Sequence, residues 1–107
     1  MPESIDIQLK KGALDLCVLA LLSLGDNYAY EIASRLAEAI GMGEGTIYPL
    51  MRRMQADGLV ETFLVESSAG PPRKYYRLTD AGRTSFTAQK QAWREFAGAM
   101  HAILGES

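Results

Sequence analysis

The segment over residues 70–83 combines chain-breaking, basic and aromatic residues in an order that could contact a phosphate backbone. Gly70 and the two prolines after it interrupt any regular element and predict a turn. A strand-like alternation follows and begins with the cations Arg73 and Lys74. Thr79 offers a side-chain oxygen that could cap a helix starting at the next residue. The segment is therefore interpreted as the basic tip of a hairpin, its returning strand and the start of a helix.

A helix predicted over residues 46–57 offers a second surface that could bind nucleic acid. One of its faces is apolar at helical spacing, which predicts that this face packs into the core. The opposite face presents Tyr48, Pro49 and Arg52, and Arg53 lies on its flank. Tyrosine and arginine can hydrogen-bond base edges or phosphates, whereas an ordinary surface helix carries mostly glutamate and lysine. Because proline is tolerated only near a helix start, Pro49 predicts that the helix begins at the start of this range.

The net charge of -2 over 107 residues argues weakly against nucleic-acid binding, but the charges are unevenly distributed. Between residues 46 and 77, five arginines and lysines outnumber three acids, and Lys10 and Lys11 form a second small basic cluster. For any single basic residue, a solvated surface position is the alternative interpretation. A hydrophobic content of 48% indicates a globular chain, and the length suffices for one domain.

Residues that usually carry catalysis or hold metal are sparse in this chain. His101 is the only histidine and has no partner at a useful spacing, and no Cys/His cluster could bind zinc. We therefore expect no enzyme, no catalytic or metal-ligating residue and no cofactor. The single cysteine, Cys17, is interpreted as a core residue and fits a reducing compartment. The N-terminus lacks the order of a signal peptide and the apolar run 16–24 is too short to span a bilayer, so we expect a cytoplasmic protein without a membrane partner.

Hydrophobic periodicity and chain-breaking residues predict the order helix, helix, helix, strand, strand, helix. The six elements span residues 9–24, 28–40, 46–57, 59–66, 73–78 and 80–104. We expect the first helix to be buried on most sides and Asn27 to cap the second. The fold class is mostly α with a small β-hairpin (α+β), namely a winged helix-turn-helix. In that fold the third helix enters the major groove and the hairpin touches the flanking backbone.

The last predicted helix has the spacing of a coiled coil and is interpreted as a dimerisation element. Apolar residues recur at intervals of seven, with a polar Gln89 in one of the core positions. The residues expected at the dimer interface are Phe86, Trp93, Phe96, Met100, Ile103 and Leu104. Residues 1–79 would then form a winged-helix DNA-binding domain, and residues 80–107 a dimerisation helix integral to the same single domain.

Three motifs resemble the PadR family of bacterial transcriptional regulators. They are residues 45–54 with 57–60, residues 28–32, and residues 73–82. The resemblance covers roughly residues 9–82, and the motifs fall in the family's order; Ala29 stands where the pattern often has glycine. It implies a homodimeric repressor of double-stranded operator DNA whose affinity falls when a small molecule binds. The expected DNA-binding residues are Lys10, Lys11, Tyr28, Thr46, Tyr48, Pro49, Arg52, Arg53, Gly70, Arg73 and Lys74.

The short last helix resembles a compact subfamily in which some members hold flat aromatic drugs between paired tryptophans at the dimer centre. The resemblance implies that Trp93, the only tryptophan, stacks on a small aromatic effector. The expected wall of the effector site is Leu9, Asp15, Leu16, Phe96 and Ala97. Simple packing of Trp93 between two helices is the alternative, and Asp15 is either a solvated acid or a counter-charge for a cationic ligand. A winged helix that binds proteins without specific DNA binding is the alternative function, because a fold does not fix a function.

Overall fold

The computed structural model describes residues 9–10 and 12–106. The elements are α1 (Leu14–Ser23), β1 (Asn27–Tyr28), α2 (Ala29–Ile40), α3 (Glu44–Ala56), β2 (Val60–Val65), β3 (Arg73–Leu78) and α4 (Asp80–Leu104). The predicted mostly α fold with a small hairpin is confirmed. The returning strand and the last helix have the predicted bounds, because the two prolines and Thr79 mark their starts locally.

The first helix is shorter than the predicted range 9–24. Leu9 and Lys10 are helical, but residues 12 and 13 form a turn, and regular α-helix begins only at Leu14. Gly12, which has low helix propensity, coincides with this interruption. The expected burial on most sides agrees with the structure, since four residues of α1 are buried and only Ser23 is fully exposed. The buried residues are Leu14, Val18, Leu19 and Leu22.

Asn27 does not cap the second helix, so that prediction is wrong. Asn27 and Tyr28 form the short strand β1, in which they pair with Tyr76 and Tyr75 of β3. The Asn27 side chain instead accepts a hydrogen bond from the backbone N–H of Tyr28 at 2.9 Å. The hairpin is thereby extended to a three-stranded antiparallel sheet of order β1-β3-β2.

The third helix begins at Glu44, two residues before the predicted start, with Gly43 as its N-cap. Pro49 is consequently the sixth residue of the helix and lies beyond the four positions whose amides lack an acceptor. The inference from Pro49 to the helix start is therefore wrong. Pro49 lies on the exposed side, and its missing N–H leaves the carbonyl of Gly45 without the usual helical donor.

The core lies where α1, α2 and α3 meet the inner face of the sheet. Its largest fully buried side chains are Leu19, Ile32, Ile47, Met51, Met54 and Val18. Gly41 adopts a left-handed conformation, with φ of 72°, and ends α2 at the short turn that leads into α3. The two helices are thus held by a helix-turn-helix arrangement, with the outer side of α3 facing away from the core.

The start of α4 is fixed against the turn between α3 and β2. The predicted cap is confirmed, because Thr79 Oγ1 accepts a hydrogen bond from the N–H of Gly82 at 3.0 Å. The same hydroxyl donates to the carbonyl of Gly58 at 2.6 Å, and the N–H of Thr79 donates to the carbonyl of Leu59 at 3.1 Å. This network joins the long helix to the end of α3.

Candidate nucleic-acid interface

The outer face of α3 presents a straight row of polar side chains. Glu44, Tyr48 and Arg52 are spaced by four residues and therefore lie one above another on the same side of the helix. Arg52 is exposed and has no hydrogen bond or ion pair with any residue in the described part of the chain. The guanidinium is thus available to an external acceptor, as the sequence predicts.

Tyr48 is half-buried at the middle of this row. Partial burial raises the pKa of its phenol, and the Glu44 carboxylate, Tyr30 and Tyr76 raise it further. The phenol is therefore protonated at neutral pH and can donate a hydrogen bond. Tyr30 is exposed, and no sequence expectation included it, although it belongs to the motif over residues 28–32.

Arg53, the neighbour of Arg52, is exposed but forms an ion pair with another residue of the chain. Its Nη2 donates to both carboxylate oxygens of Asp15 on α1, at 2.8 and 2.9 Å. Arg53 and Asp15 line a groove of about 510 Å³ between α1 and α3, together with Leu14, Thr46, Pro49 and Leu50. Asp15 therefore faces α3 and does not line the groove that contains Trp93. The sequence shows no signal for this pair, because its members are 38 residues apart.

The wing carries a continuous stack of cations and aromatic rings across the outer face of the sheet. The Arg73 guanidinium lies 4.6 Å from the Tyr28 ring centroid, and the Tyr28 and Tyr75 rings are 5.4 Å apart. Tyr75 contacts Phe63 at 5.8 Å, and Arg77 caps the other end at 4.6 Å from Phe63. Each cation–π contact contributes about 0.5–1 kcal/mol at an exposed site. The stack orients Arg73 while leaving it exposed.

The wing and the helix-turn-helix meet in a surface groove of about 420 Å³. Its lining residues are Tyr28, Ala29, Tyr30, Arg73 and Lys74. Tyr30 is also one of the groups that raise the pKa of Tyr48 on α3. Arg73 and Lys74 of the wing and the exposed Tyr30 of α2 therefore line one groove.

Two other predicted DNA contacts, Lys10 and Gly70, do not line this groove. The Lys10 ammonium lies beside Gly41 at the C-terminal end of α2, since a Cβ added to Gly41 would be 3.1 Å from Lys10 Nζ. The carbonyl groups at this end of a helix favour a cation. Gly70 is exposed in the turn between β2 and β3. Lys11 lies outside the described residues.

The predicted effector residues are only partly brought together. Trp93 and Leu16 line a groove of about 260 Å³ with Gly12, Gln89 and Ala92. A second groove of about 360 Å³ between α1 and α4 is lined by Leu16, Ala20, Ser23, Leu24, Phe86 and Lys90. Leu9, Phe96 and Ala97 line neither of these two grooves. Leu16 is thus the predicted wall residue that the single chain places beside Trp93.

The C-terminal half of α4 carries large apolar side chains that are open to solvent. Trp93 is 49% exposed, Phe96 64%, Ile103 79% and Leu104 61%. Phe86, another predicted interface residue, is partly buried and packs against the core of its own chain. Four large apolar residues on one helix form a patch of the kind that marks an interaction surface.

The chain has three helices followed by a hairpin wing, and its second and third helices form a helix-turn-helix. This arrangement defines the winged-helix class. The chain belongs to the PadR-like family of transcriptional regulators, whose family model matches residues 18–88. A PadR-like regulator from Bacillus cereus has 37% identity and a TM-score of 0.84, over 94% of this chain and 99% of that one. A PadR family regulator from Clostridium difficile has 33% identity and a TM-score of 0.79, over 86% and 98%. The transcriptional regulator Rv3488 of Mycobacterium tuberculosis is 42% identical over 55 residues, which are 50% of this chain and 49% of Rv3488.

The family and the structural neighbours are transcriptional regulators and not enzymes, which confirms the expectation from the sequence. Within residues 9–10 and 12–106, no group of three or more His, Cys, Asp or Glu side chains could hold a metal ion. Cys17 packs beside the core, and burial raises the pKa of its thiol above the ordinary value. No helix in the same part of the chain has both the length and the apolar character needed to cross a membrane.

Proposed function

We propose that this transcriptional regulator is a homodimeric, cytoplasmic repressor that binds double-stranded operator DNA. In this proposal residues 1–79 bind DNA and residues 80–107 form the dimerisation helix. The observation that carries the proposal is the exposed polar row on α3, together with the groove in which the basic wing meets the start of α2. In winged helix-turn-helix proteins, a helix in this position reads base edges while positive groups beside it contact phosphates.

The charges on this surface support DNA as the partner in spite of the net charge of -2. Arg52, Arg73 and Lys74 are exposed, and none of them has an ion pair with a described residue. Arg53 and Arg77, in contrast, are paired with Asp15 and Glu61. Three cations without an ionic partner in the described part of the chain are therefore available where the DNA backbone would lie.

Arg52→Ala is expected to weaken operator binding by about 1–3 kcal/mol, because a well-placed arginine contact to a base is worth that much. The fold should persist, since Arg52 is exposed on the side opposite the buried residues of α3. The measurement is a mobility-shift titration on the DNA that flanks the protein's own gene. Arg35→Ala is the matched control, because Arg35 is an exposed arginine paired with Glu31 on α2. If Arg52→Ala binds operator DNA with the affinity of the wild type, the assignment of Arg52 and its face of α3 to the DNA interface is wrong.

Replacing both Arg73 and Lys74 by alanine should weaken binding to all duplexes alike. Each lost phosphate contact should reduce the slope of log affinity against log salt by about 0.9 per subunit. A salt titration with operator and with random-sequence duplex measures this change. Arg94→Ala on the solvent side of α4 should leave both slopes as in the wild type. If the double variant keeps the wild-type slope, the wing does not contact phosphate.

A small planar aromatic effector is the second part of the proposal, and it is supported by the half-exposed Trp93 and the groove beside it. Such a compound should quench Trp93 fluorescence and reduce operator affinity, because coupling between two binding sites is reciprocal. Trp93→Ala should lose the response to the compound but remain a dimer. If Trp93→Ala instead becomes monomeric, Trp93 is a packing residue at a closed interface.

A further inference from the structure

Glu44 occupies a position that the proposed function does not yet explain. It is the first residue of α3 and is exposed, and its carboxylate has no hydrogen bond or ion pair with a residue in the described ranges. The acid lies one turn before Tyr48 and two turns before Arg52, on the same face. It therefore stands at the start of the row proposed to face the bases.

An acid at this place opposes DNA binding unless it has a partner on the DNA. Glu44 lies at the N-terminal end of α3, where the helix dipole favours a negative charge. Phosphates would repel this carboxylate in every duplex, regardless of sequence. A residue that weakens the complexes with all DNA sequences equally only reduces affinity. A residue that finds a hydrogen-bond donor in some DNA sequences and not in others discriminates between them.

The major groove offers such donors at two positions only, the N4 amine of cytosine and the N6 amine of adenine. The first residues of a recognition helix are those that reach base edges, and carboxylates accept from these amines. A carboxylate has no proton to donate, so it is repelled by the O6 and N7 acceptors of guanine and by the O4 of thymine.

We propose that Glu44 determines operator specificity by accepting a hydrogen bond from the exocyclic amine of one cytosine or adenine in each half-site. The proposal rests on the proposed function, that is, on α3 lying in the major groove. Glu44 then selects the amine-bearing base and rejects guanine and thymine at that position. The same carboxylate lowers affinity for random DNA, and so widens the gap between specific and non-specific binding.

The test is a selection of binding sites from a randomised duplex library with the purified full-length wild type, Glu44→Ala and Glu44→Gln. The wild type should select cytosine or adenine at one position of each half-site, and the base recovered distinguishes the two sources of the amine. Glu44→Ala should lose about tenfold discrimination at that position alone and should bind random duplex more tightly. Glu44→Gln removes the charge but can pair with adenine in a bidentate manner, so its preference should move toward adenine.

Glu38→Gln is the matched control, because Glu38 is an exposed acid on α2 that lines a groove beside Leu21 of α1. It should leave the selected sequences unchanged. A purely structural role for Glu44 at the helix end would lower the melting temperature and leave base preference intact. That result, or identical selections for wild type and both Glu44 variants, would overturn the inference while leaving the proposed function in place. A wild type that selects no sequence would overturn both.

Discussion

Introducing glutamate at both Phe96 and Ile103 is expected to convert the proposed dimer to a monomer and to abolish tight operator binding. These side chains are 64% and 79% exposed in the single chain and lie on the seven-residue stripe of α4. Burying a large apolar side chain contributes about 1.5–3 kcal/mol, so two copies of this stripe supply a substantial favourable term. Two charges on each helix remove that term and place like charges opposite one another.

The effect on DNA binding should exceed that of any single DNA contact. A symmetric dimer presents two copies of α3 to half-sites about 34–36 Å apart, or a multiple of that spacing. The overall affinity of two linked binding modules exceeds the affinity of one module by about 100-fold or more. A monomer has one module and lacks this increase. Light scattering reports the oligomeric state, and a mobility-shift titration reports the affinity.

Ala102→Glu provides the matched control for added charge on α4. Ala102 is exposed and lies away from the stripe, so this variant should remain a dimer with wild-type affinity. A Phe96 and Ile103 double variant that stays dimeric would place the interface elsewhere. A soluble monomer that binds operator as tightly as the wild type would show that tight binding does not require a dimer.

Gly82→Ala is expected to destabilise the fold by about 3 kcal/mol, because overpacking a close contact costs this much when backbone must move. Gly82 is buried in the first turn of α4, where an added Cβ would overlap the Leu59 carbonyl oxygen and come within 3.2 Å of Leu78 Cδ2. The Leu59 carbonyl also accepts from the N–H of Thr79. The new methyl group would therefore force the start of α4 away from the turn that follows α3.

Chemical denaturation of Gly82→Ala should show a lower midpoint with little change in slope. Gly98→Ala in the same helix is the matched control. Nothing lies within 4 Å of a Cβ added there, and replacing a helical glycine by alanine favours the helix by about 1 kcal/mol. If Gly82→Ala lowers the free energy of unfolding and Gly98→Ala raises it, the destabilisation comes from the contact with Leu59 and not from the loss of a helical glycine. Equal stability of Gly82→Ala and the wild type would show that α4 can shift away from this turn without loss.

The sequence determined the elements whose signals are local. The two prolines and the alternation after them predicted β3, and the oxygen of Thr79 predicted the start of α4, because a turn or a cap is formed by residues a few positions apart. The apolar stripe of α3 was equally clear, since its period alone separates the buried face from the polar one. With the resemblance to the PadR family, these signals sufficed for the class of protein and for Tyr48, Arg52, Arg73 and Lys74 as candidates.

Only the tertiary structure decided what those candidates contact. Strand β1 has two residues and exists because β3 lies beside it, so no pattern within the strand could predict it. Arg52 and Arg53 are identical in type and adjacent in sequence, yet Asp15 of α1 holds one and leaves the other free. Likewise, the need for glycine at position 82 arises from the carbonyl of Leu59, which the turn after α3 brings against it. Contacts between residues distant along the chain depend on how the helices pack, and packing is a property of the whole fold.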